Sequence, residues 1–167
     1  MNVTSSEPVA AEATRTDRRS ERELVVTRVF DGPARLVFDA WTKPELLTRW
    51  FGIHNGWQYA VCEVDLRVGG AYRFEWRKPP SGVMVIHGVY REVSAPERLV
   101  FTFAWDTEGD LRTETVVTIG FADLGGKTEM TFVQTGFPTT ADRDGHHEGW
   151  ASSFDDLTGF IQRKDDR

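Results

Sequence analysis

The spacing of apolar residues divides the chain into a long strand-rich part and one C-terminal helix. From about residue 57 to 134, apolar and polar positions alternate and turn residues separate the runs, which predicts antiparallel β-strands. Over residues 142–164 the apolar side chains instead recur at helical spacing, and these are Trp150, Phe154, Leu157 and Ile161. We expect this single long helix to lie across the sheet and close the core, because the apolar face of a sheet must be buried against another element.

Two short helices are predicted between the first strand and the others. The first strand covers about residues 21–30, and Asp31 follows it as a candidate cap for a helix that begins near Pro33. The sequence Thr42-Lys43-Pro44 ends that helix and begins another. After a loop at residues 52–56, six further strand-like runs bring the total to about seven strands.

The last two strands are joined by the strongest turn signal in the chain. Gly125-Gly126 lies between two alternating runs, and a two-residue hairpin turn of the primed type requires a positive φ at both positions. Glycine adopts a positive φ without the steric cost that other residues meet. The pair therefore predicts a tight β-hairpin.

The N-terminal segment differs in composition from the rest of the chain. It contains almost no large apolar side chains, so burial cannot offset the entropy lost when the segment is ordered. We expect residues 1–20 to form a disordered tail and residues 21–167 to form a single domain. The chain length of 167 residues agrees with this, since one domain usually takes about 100–200 residues.

Composition and charge exclude several classes of function. The net charge of -6 and the isoelectric point of about 5.2 argue against nucleic acid as a partner, because an acidic domain gains nothing from counterion release. No apolar run approaches the roughly 20 residues that cross a bilayer, and no apolar signal-peptide core is present, so we expect a cytoplasmic protein without membrane contact. The single cysteine, Cys62, excludes an internal disulfide and predicts a buried, inert thiol.

Candidate catalytic and metal-ligating residues are few. His146-His147-Glu148 lacks the His-Glu-x-x-His spacing, and adjacent helical residues point about 100° apart, so we predict no metal site and no cofactor. His87 lies in mid-strand among apolar residues, which favours a buried neutral histidine over a catalytic base. Glu63 and Asp65 are expected to point to solvent, because the other face of their strand is the apolar one. We assign no catalytic residue.

The aromatic residues suggest a cavity. Aromatic side chains make up 12% of the chain, and many of them lie on elements that should converge. For any one ring an ordinary core position is the simpler interpretation, but large rings leave gaps more easily than aliphatic side chains, and ligand sites are mainly apolar. We therefore predict a partly hollow interior. The predicted lining residues are Trp41, Trp50, Phe51, Tyr72, Phe74, Trp76, His87, Tyr90, Phe103, Trp105, Trp150 and Phe154.

Several motifs between about residues 22 and 162 carry a family resemblance. Among them are Val29-Phe30-Asp31-Gly32-Pro33, Leu47-Thr48-Arg49-Trp50-Phe51-Gly52, Asp65-Leu66-Arg67-Val68-Gly69-Gly70 and Gly145-His146-His147-Glu148-Gly149-Trp150. With them, the chain resembles the activator of heat-shock protein 90 ATPase homologue-like family of the START/Bet v 1-like (SRPBCC) superfamily. The resemblance implies an α+β helix-grip fold, in which a curved antiparallel sheet holds the long C-terminal helix on its concave face, often around a cavity for an apolar ligand.

Three functions stay open from the sequence. The preferred one is binding of a small hydrophobic or aromatic molecule between the sheet and the C-terminal helix. The resemblance also allows an interaction module that stimulates a chaperone ATPase. A cyclase- or hydrolase-type enzyme acting on aromatic substrates is the third, and it would need His87 with Tyr90 or Glu63 at one cavity. The sequence favours a binding protein over an enzyme and leaves open whether it is a monomer or a dimer.

Overall fold

The computed structural model describes residues 15–20, 22–53, 55–107, 110–111 and 114–165. Within these ranges the chain forms three helices and a sheet of nine strands. The strands are β1 (Arg15–Ser20), β2 (Glu23–Phe30), β3 (Gln58–Val64), β4 (Ala71–Lys78), β5 (Gly82–Ser94), β6 (Arg98–Thr107), β7 (Asp110–Leu111), β8 (Thr115–Asp123) and β9 (Thr128–Thr135). The helices are α1 (Ala34–Thr42), α2 (Pro44–Leu47) and α3 (Thr140–Asp165).

The sheet is antiparallel throughout its described pairings. Its strands lie in the order β1-β2-β9-β8-β6-β5-β4-β3, and β7 pairs with β6 beside this path. Because β2 pairs with β9, the strand that precedes α1 lies next to the strand that leads into α3. This arrangement confirms the predicted α+β helix-grip fold. The seven predicted strands correspond to β2, β3, β4, β5, β6, β8 and β9.

The sheet begins within the segment that the sequence predicts to be a disordered tail. Arg15–Ser20 forms β1, which pairs with β2, so this part of the segment predicted to be disordered is a strand. Residues 1–14 of the predicted tail lie outside the described residues. An edge strand is held through main-chain hydrogen bonds on one side, so it needs no apolar side chains and leaves no apolar repeat in the sequence.

The helix α1 begins without a side-chain cap. Pro33 occupies the cap position with an extended backbone, and its carbonyl accepts the first hydrogen bonds from the N–H groups of Leu36 and Val37. The prediction that Asp31 caps this helix is therefore wrong, because Asp31 lies two residues before the cap position. The short helix α2 then begins at Pro44, as predicted, and the turn that follows it brings Phe51 towards the sheet.

The C-terminal half of α3 closes the core. The four apolar residues that recur at helical spacing are all buried, and they are Trp150, Phe154, Leu157 and Ile161. Arg28 on β2 ties this half of the helix to the sheet. Its Nη1 lies 2.9 Å from the carboxylate of Asp155 and donates to Thr158 Oγ1 at 3.2 Å. These contacts set where α3 lies along β2.

The turn between β8 and β9 has the predicted conformation. Gly125 and Gly126 both have a positive φ, of 77° and 101°. The N–H of Leu124 donates to the carbonyl of Lys127 at 2.7 Å, and the N–H of Gly125 donates to Asp123 Oδ1 at 2.9 Å. The hairpin therefore uses two backbone conformations that glycine adopts readily and that a β-branched residue resists.

Replacing both turn glycines with valine should lower the free energy of unfolding by about 2 kcal/mol or more, since a left-handed conformation costs each L-residue roughly 1–2 kcal/mol. Denaturant titration of the Gly125→Val/Gly126→Val variant measures this loss. Gly120→Val on β8 is the control, because Gly120 has no positive φ and has open space where a Cβ would lie. A double variant as stable as the control would contradict the turn assignment.

Candidate functional site

A cavity of about 410 Å³ lies between the N-terminal half of α3 and the sheet. Strands β4, β5 and β6 form one wall, the turn after α2 forms a second, and α3 forms the third. The lining residues are Phe51, Gly52, Trp76, Met84, Ile86, Phe103, Trp105, Ala141, Asp142, Gly145, His146, Gly149, Trp150 and Ser153. Most of this surface is apolar, which is typical of small-molecule sites.

Aromatic rings form the boundary between the cavity and the core. The rings of Phe51 and Trp150 are parallel with their centroids 5.4 Å apart, and Trp76 meets Phe51 edge to face at 5.5 Å. Phe103 packs beside Trp150 with a centroid distance of 5.7 Å. Aromatic pairs contribute about 0.5–1.5 kcal/mol beyond the area they bury, so these contacts hold the rings in place without a ligand.

The indole of Trp150 is oriented by a buried chain of hydrogen bonds. Its Nε1 donates to Gln134 Oε1 at 2.8 Å, and Gln134 Nε2 donates to Thr115 Oγ1 at 2.9 Å. The hydroxyl of Thr115 donates in turn to the carbonyl of Phe103 at 3.1 Å. Both ends of the Gln134 amide are thus paired within the protein. Gln134 therefore serves the packing of α3 on β9.

Small residues on α3 keep the cavity open. Ala141, Gly145, Gly149 and Ser153 follow one another at intervals of four residues, so they lie on one face of the helix. Apart from its chain neighbours and the nearby helix backbone, no atom lies within 4 Å of the position that a Cβ would take at Gly145 or Gly149, and both glycines are exposed. Both glycines line the cavity, and the empty surroundings show that they do not serve a close approach of helix and sheet.

His146 lies in the cavity wall with both ring nitrogens paired. Trp105 Nε1 donates to His146 Nε2 at 2.9 Å, and the Nδ1–H of His146 donates to the carbonyl of Asp142 at 2.7 Å. Nε2 must then carry the lone pair, which places the proton on Nδ1 of a neutral ring. Burial lowers the pKa of His146 from its usual 6.5, and the Asp142 carbonyl and carboxylate oppose this only in part.

The predicted lining residues divide into four groups. Five border the cavity, and they are Phe51, Trp76, Phe103, Trp105 and Trp150. Four border a smaller neighbouring void of about 20 Å³, and they are Trp41, Tyr72, Phe74 and Tyr90. Two are fully buried beside neither space, and they are Trp50 and Phe154. The last is His87. That any of these residues contacts a ligand stays a prediction.

His87 does not line the cavity, so its place in the predicted set is wrong. It is half-buried on β5, where it is paired with Arg73 and Ala104. Its neighbour Ile86 lines the cavity, and successive residues of a strand point to opposite faces of the sheet. His87 therefore lies on the outer face, on the side of the sheet away from α3.

The candidate acid–base residues do not meet at one cavity. Glu63 and Asp65 are exposed, as predicted, and Asp65 pairs with Arg67 at 3.0 Å. Cys62 is half-buried, and burial raises the pKa of its thiol to about 11, which keeps it protonated at neutral pH. Within the described ranges, no cluster of three or more His, Cys, Asp or Glu residues could hold a metal ion.

The first half of α3 contributes lining residues that the sequence did not predict. Ala141, Gly145, Gly149 and Ser153 are unexpected lining residues, and so are Asp142 and His146, one turn apart. Their signal is a run of small residues at every fourth position of a predicted helix, where glycine is otherwise unfavourable. Met84 and Ile86 of β5 were also missed, because their strand carries apolar residues on both faces.

A long helix that lies across an antiparallel sheet, with a cavity between the two, defines the helix-grip class of proteins. The sequence model of a family described as activator of Hsp90 ATPase homolog 1-like protein matches residues 31–162. The chain therefore belongs to this family, as its motifs predict. A search of curated protein sequences finds no match.

Solved structures share this fold over most of the chain. A protein from Chromobacterium violaceum is 27% identical with a TM-score of 0.74, and the match covers 84% of this chain and 97% of that one. A Rhodobacter sphaeroides protein is 22% identical with a TM-score of 0.77, covering 89% and 98%. The AHSA1 protein from Silicibacter pomeroyi is 19% identical with a TM-score of 0.75, covering 85% and 99%. The last two similarities show the fold alone.

Acid should destabilise the protein through His146. In the unfolded chain the ring titrates near its usual pKa of 6.5, whereas in the folded protein its pKa is lower. As pH falls below about 6.5 the unfolded state binds more protons, so the stability that the neutral ring provides above this pH is lost. His146→Gln should flatten this part of the profile in melting temperatures measured from about pH 5 to 8.

The variant His87→Gln controls for the loss of a histidine outside the cavity. If His146→Gln keeps the same acid-dependent loss as the wild-type protein, another group causes it, and the paired neutral ring is not what makes the fold sensitive to acid.

Proposed function

We propose that this protein binds a small hydrophobic, aromatic molecule in the cavity between the sheet and α3. The observation that carries the proposal is the open space beside Gly145 and Gly149, which is bordered by the rings of Trp76, Trp105 and Trp150. The volume of about 410 Å³ falls within the roughly 300–1,000 Å³ of small-molecule sites.

The presence of Gly145 and Gly149 supports binding of a ligand in this space. Glycine inside a helix is less favourable than alanine by about 0.5–1 kcal/mol. An alanine methyl at Gly145 or Gly149 would meet no other atom, so steric conflict does not explain why glycine is present. A ligand that fills the space beside the helix backbone accounts for both positions.

The polar groups of the cavity favour binding over catalysis. A general base needs a free lone pair within reach of the substrate. His146 has none to offer, since its Nε2 already accepts a hydrogen bond from Trp105. His87 lies on the other face of the sheet and Glu63 is exposed, so the combination of His87 with Tyr90 or Glu63 is not assembled at the cavity.

The family description supports a second candidate function, contact with a chaperone ATPase. Purified Hsp90 provides the test, because an interaction module should stimulate its ATPase while a ligand-binding protein should not. Stimulation that persists when the cavity is filled by substitutions at Gly145 and Gly149 would place that function on the outer surface.

We infer that the protein acts in the cytoplasm as a single domain. The single cysteine supports a reducing compartment, and the length of 167 residues supports one domain. Among the residues that the structure describes, no helix is long and apolar enough to cross a membrane.

Neutral aromatic compounds should raise the melting temperature. A ligand at a hundred times its dissociation constant adds about 2.7 kcal/mol to the stability. Each kcal/mol moves the melting temperature of a protein of this size by about 2–4 °C, so the shift should be roughly 5–11 °C. A thermal-shift screen measures it, and tryptophan emission should change in parallel because three tryptophans line the cavity. A broad aromatic library without any stabilising compound would contradict the proposal.

Substitution of the cavity glycines should separate stability from binding. Gly145→Ala and Gly149→Ala should each raise the stability by up to about 1 kcal/mol through helix propensity, yet weaken the binding of an aromatic ligand that fills the cavity. Gly159→Ala is the matched control on the same helix, since it lies outside the cavity and its Cβ would meet only the flexible end of Arg163.

Thermal unfolding and calorimetric titration of the three variants provide both readouts. Gly159→Ala should gain stability and keep the wild-type affinity. Equal affinities in Gly149→Ala and Gly159→Ala would show that the ligand does not occupy the space beside α3.

A further inference from the structure

We propose that the cavity selects its ligand by charge and takes an aromatic molecule with a cationic nitrogen, such as a protonated amine, which lies against the carboxylate of Asp142. This inference rests on the proposed function and narrows it from aromatic molecules in general to aromatic cations. Most polar groups of the cavity wall already have partners, and those that do not decide which charge the cavity can hold.

The indole N–H groups around the cavity are not available to an anionic ligand. Trp105 Nε1 donates to His146, and Trp150 Nε1 donates to Gln134. The Nε1 atom of Trp76 is fully buried, so it does not reach the open space. Two of the three indole donors are therefore already paired, and the third is unpaired but covered by protein atoms, so a carboxylate or phosphate in the cavity reaches none of them directly.

The remaining polar side chains provide little for an anion. The His146 ring has one proton, which it donates to the carbonyl of Asp142. Ser153 is buried at the cavity wall, and its hydroxyl forms no hydrogen bond within the described part of the chain. One neutral hydroxyl cannot replace the water that an anion loses on entering an apolar cavity.

Asp142 gives the cavity an uncommitted negative charge. Its side chain is half-buried and borders the cavity, and it is the one acidic or basic side chain besides His146 among the described lining residues. Its carboxylate forms no hydrogen bond or ion pair with another described residue. The N-terminus of α3 carries the opposite sign, but only about half an elementary charge, so the full charge of Asp142 outweighs it.

The aromatic walls favour the same kind of ligand. The rings of Trp76, Trp105 and Trp150 border the space beside Asp142, and indole faces attract organic cations more strongly than other aromatic faces do. The net charge of -6 adds a weaker, long-range attraction for cations. An aromatic cation could therefore bury its ring among tryptophans and pair its charge with Asp142.

Three probes with one ring system test the proposal: naphthylmethylamine, naphthylmethanol and naphthoic acid, which are cationic, neutral and anionic at about pH 7.5. Isothermal titration to the full-length protein gives each dissociation constant. We expect the amine to bind roughly five- to tenfold more tightly than the alcohol, and the acid to bind more weakly than the alcohol by a similar factor.

The variant Asp142→Asn should bring the ratio of amine to alcohol affinity close to one. Glu148→Gln is the control, since it removes the same charge from an exposed position of α3 outside the cavity, and it should keep the wild-type ratio. An acidic residue in the first turn of a helix also contributes to stability, so Asp142→Asn could alter the fold as well as the binding. Thermal unfolding of both variants therefore checks that each is folded.

The outcomes separate this inference from the proposed function. If the alcohol binds but the amine binds no more tightly, or the acid binds best, charge selection is refuted while aromatic binding stands. A preference for the amine that survives Asp142→Asn refutes the role of Asp142. If none of the three probes binds, the proposed function fails and the charge selection fails with it.

Discussion

The fold depends on how Trp150 is held between α3 and the sheet. Its indole N–H is paired with Gln134 of β9 inside the protein, where an unpaired partner would cost about 1–3 kcal/mol. The ring packs against Phe132, with centroids 4.6 Å apart, and it is parallel to Phe51 at 5.4 Å beside the cavity. One side chain thus sets the distance between the helix and the sheet and lies between the packed core and the cavity.

The helix α3 changes its role at this residue. Beyond Trp150 it presents large apolar side chains that are fully buried, and Arg28 of β2 holds it through Asp155 and Thr158. Before Trp150 it presents small side chains, with space next to Gly145 and Gly149. Because the sheet cannot close on this half while Trp150 holds the helix in place, the same packing that completes the core also maintains the cavity.

Membership of a fold family leaves the chemistry of the site undecided, since one fold serves many functions. In this protein the chemistry follows from which polar groups are already paired. The carbonyl of Asp142 accepts a hydrogen bond from the ring of His146, and that ring accepts one from the N–H of Trp105. The polar atoms of His146 and Trp105 are therefore both paired within the cavity wall. Asp142 also borders the cavity, and its carboxylate is the charge on which the proposed selection of cationic ligands depends.

The sequence by itself determined the order and type of the elements. Alternating runs located the seven main strands, helical spacing located α3 and its buried face, and two glycines located the β8–β9 turn. It missed β1, because an edge strand pairs through its backbone. It also misplaced His87, because β5 has apolar residues on both faces, with Val85 outside and Ile86 inside, and alternation does not say which face meets the helix.

The small residues of α3 are visible in the sequence, but a row of small residues on a helix serves close packing as readily as it borders a cavity. Only the tertiary structure decided between the two, since the distance between helix and sheet is set by Trp150 and its distant partners.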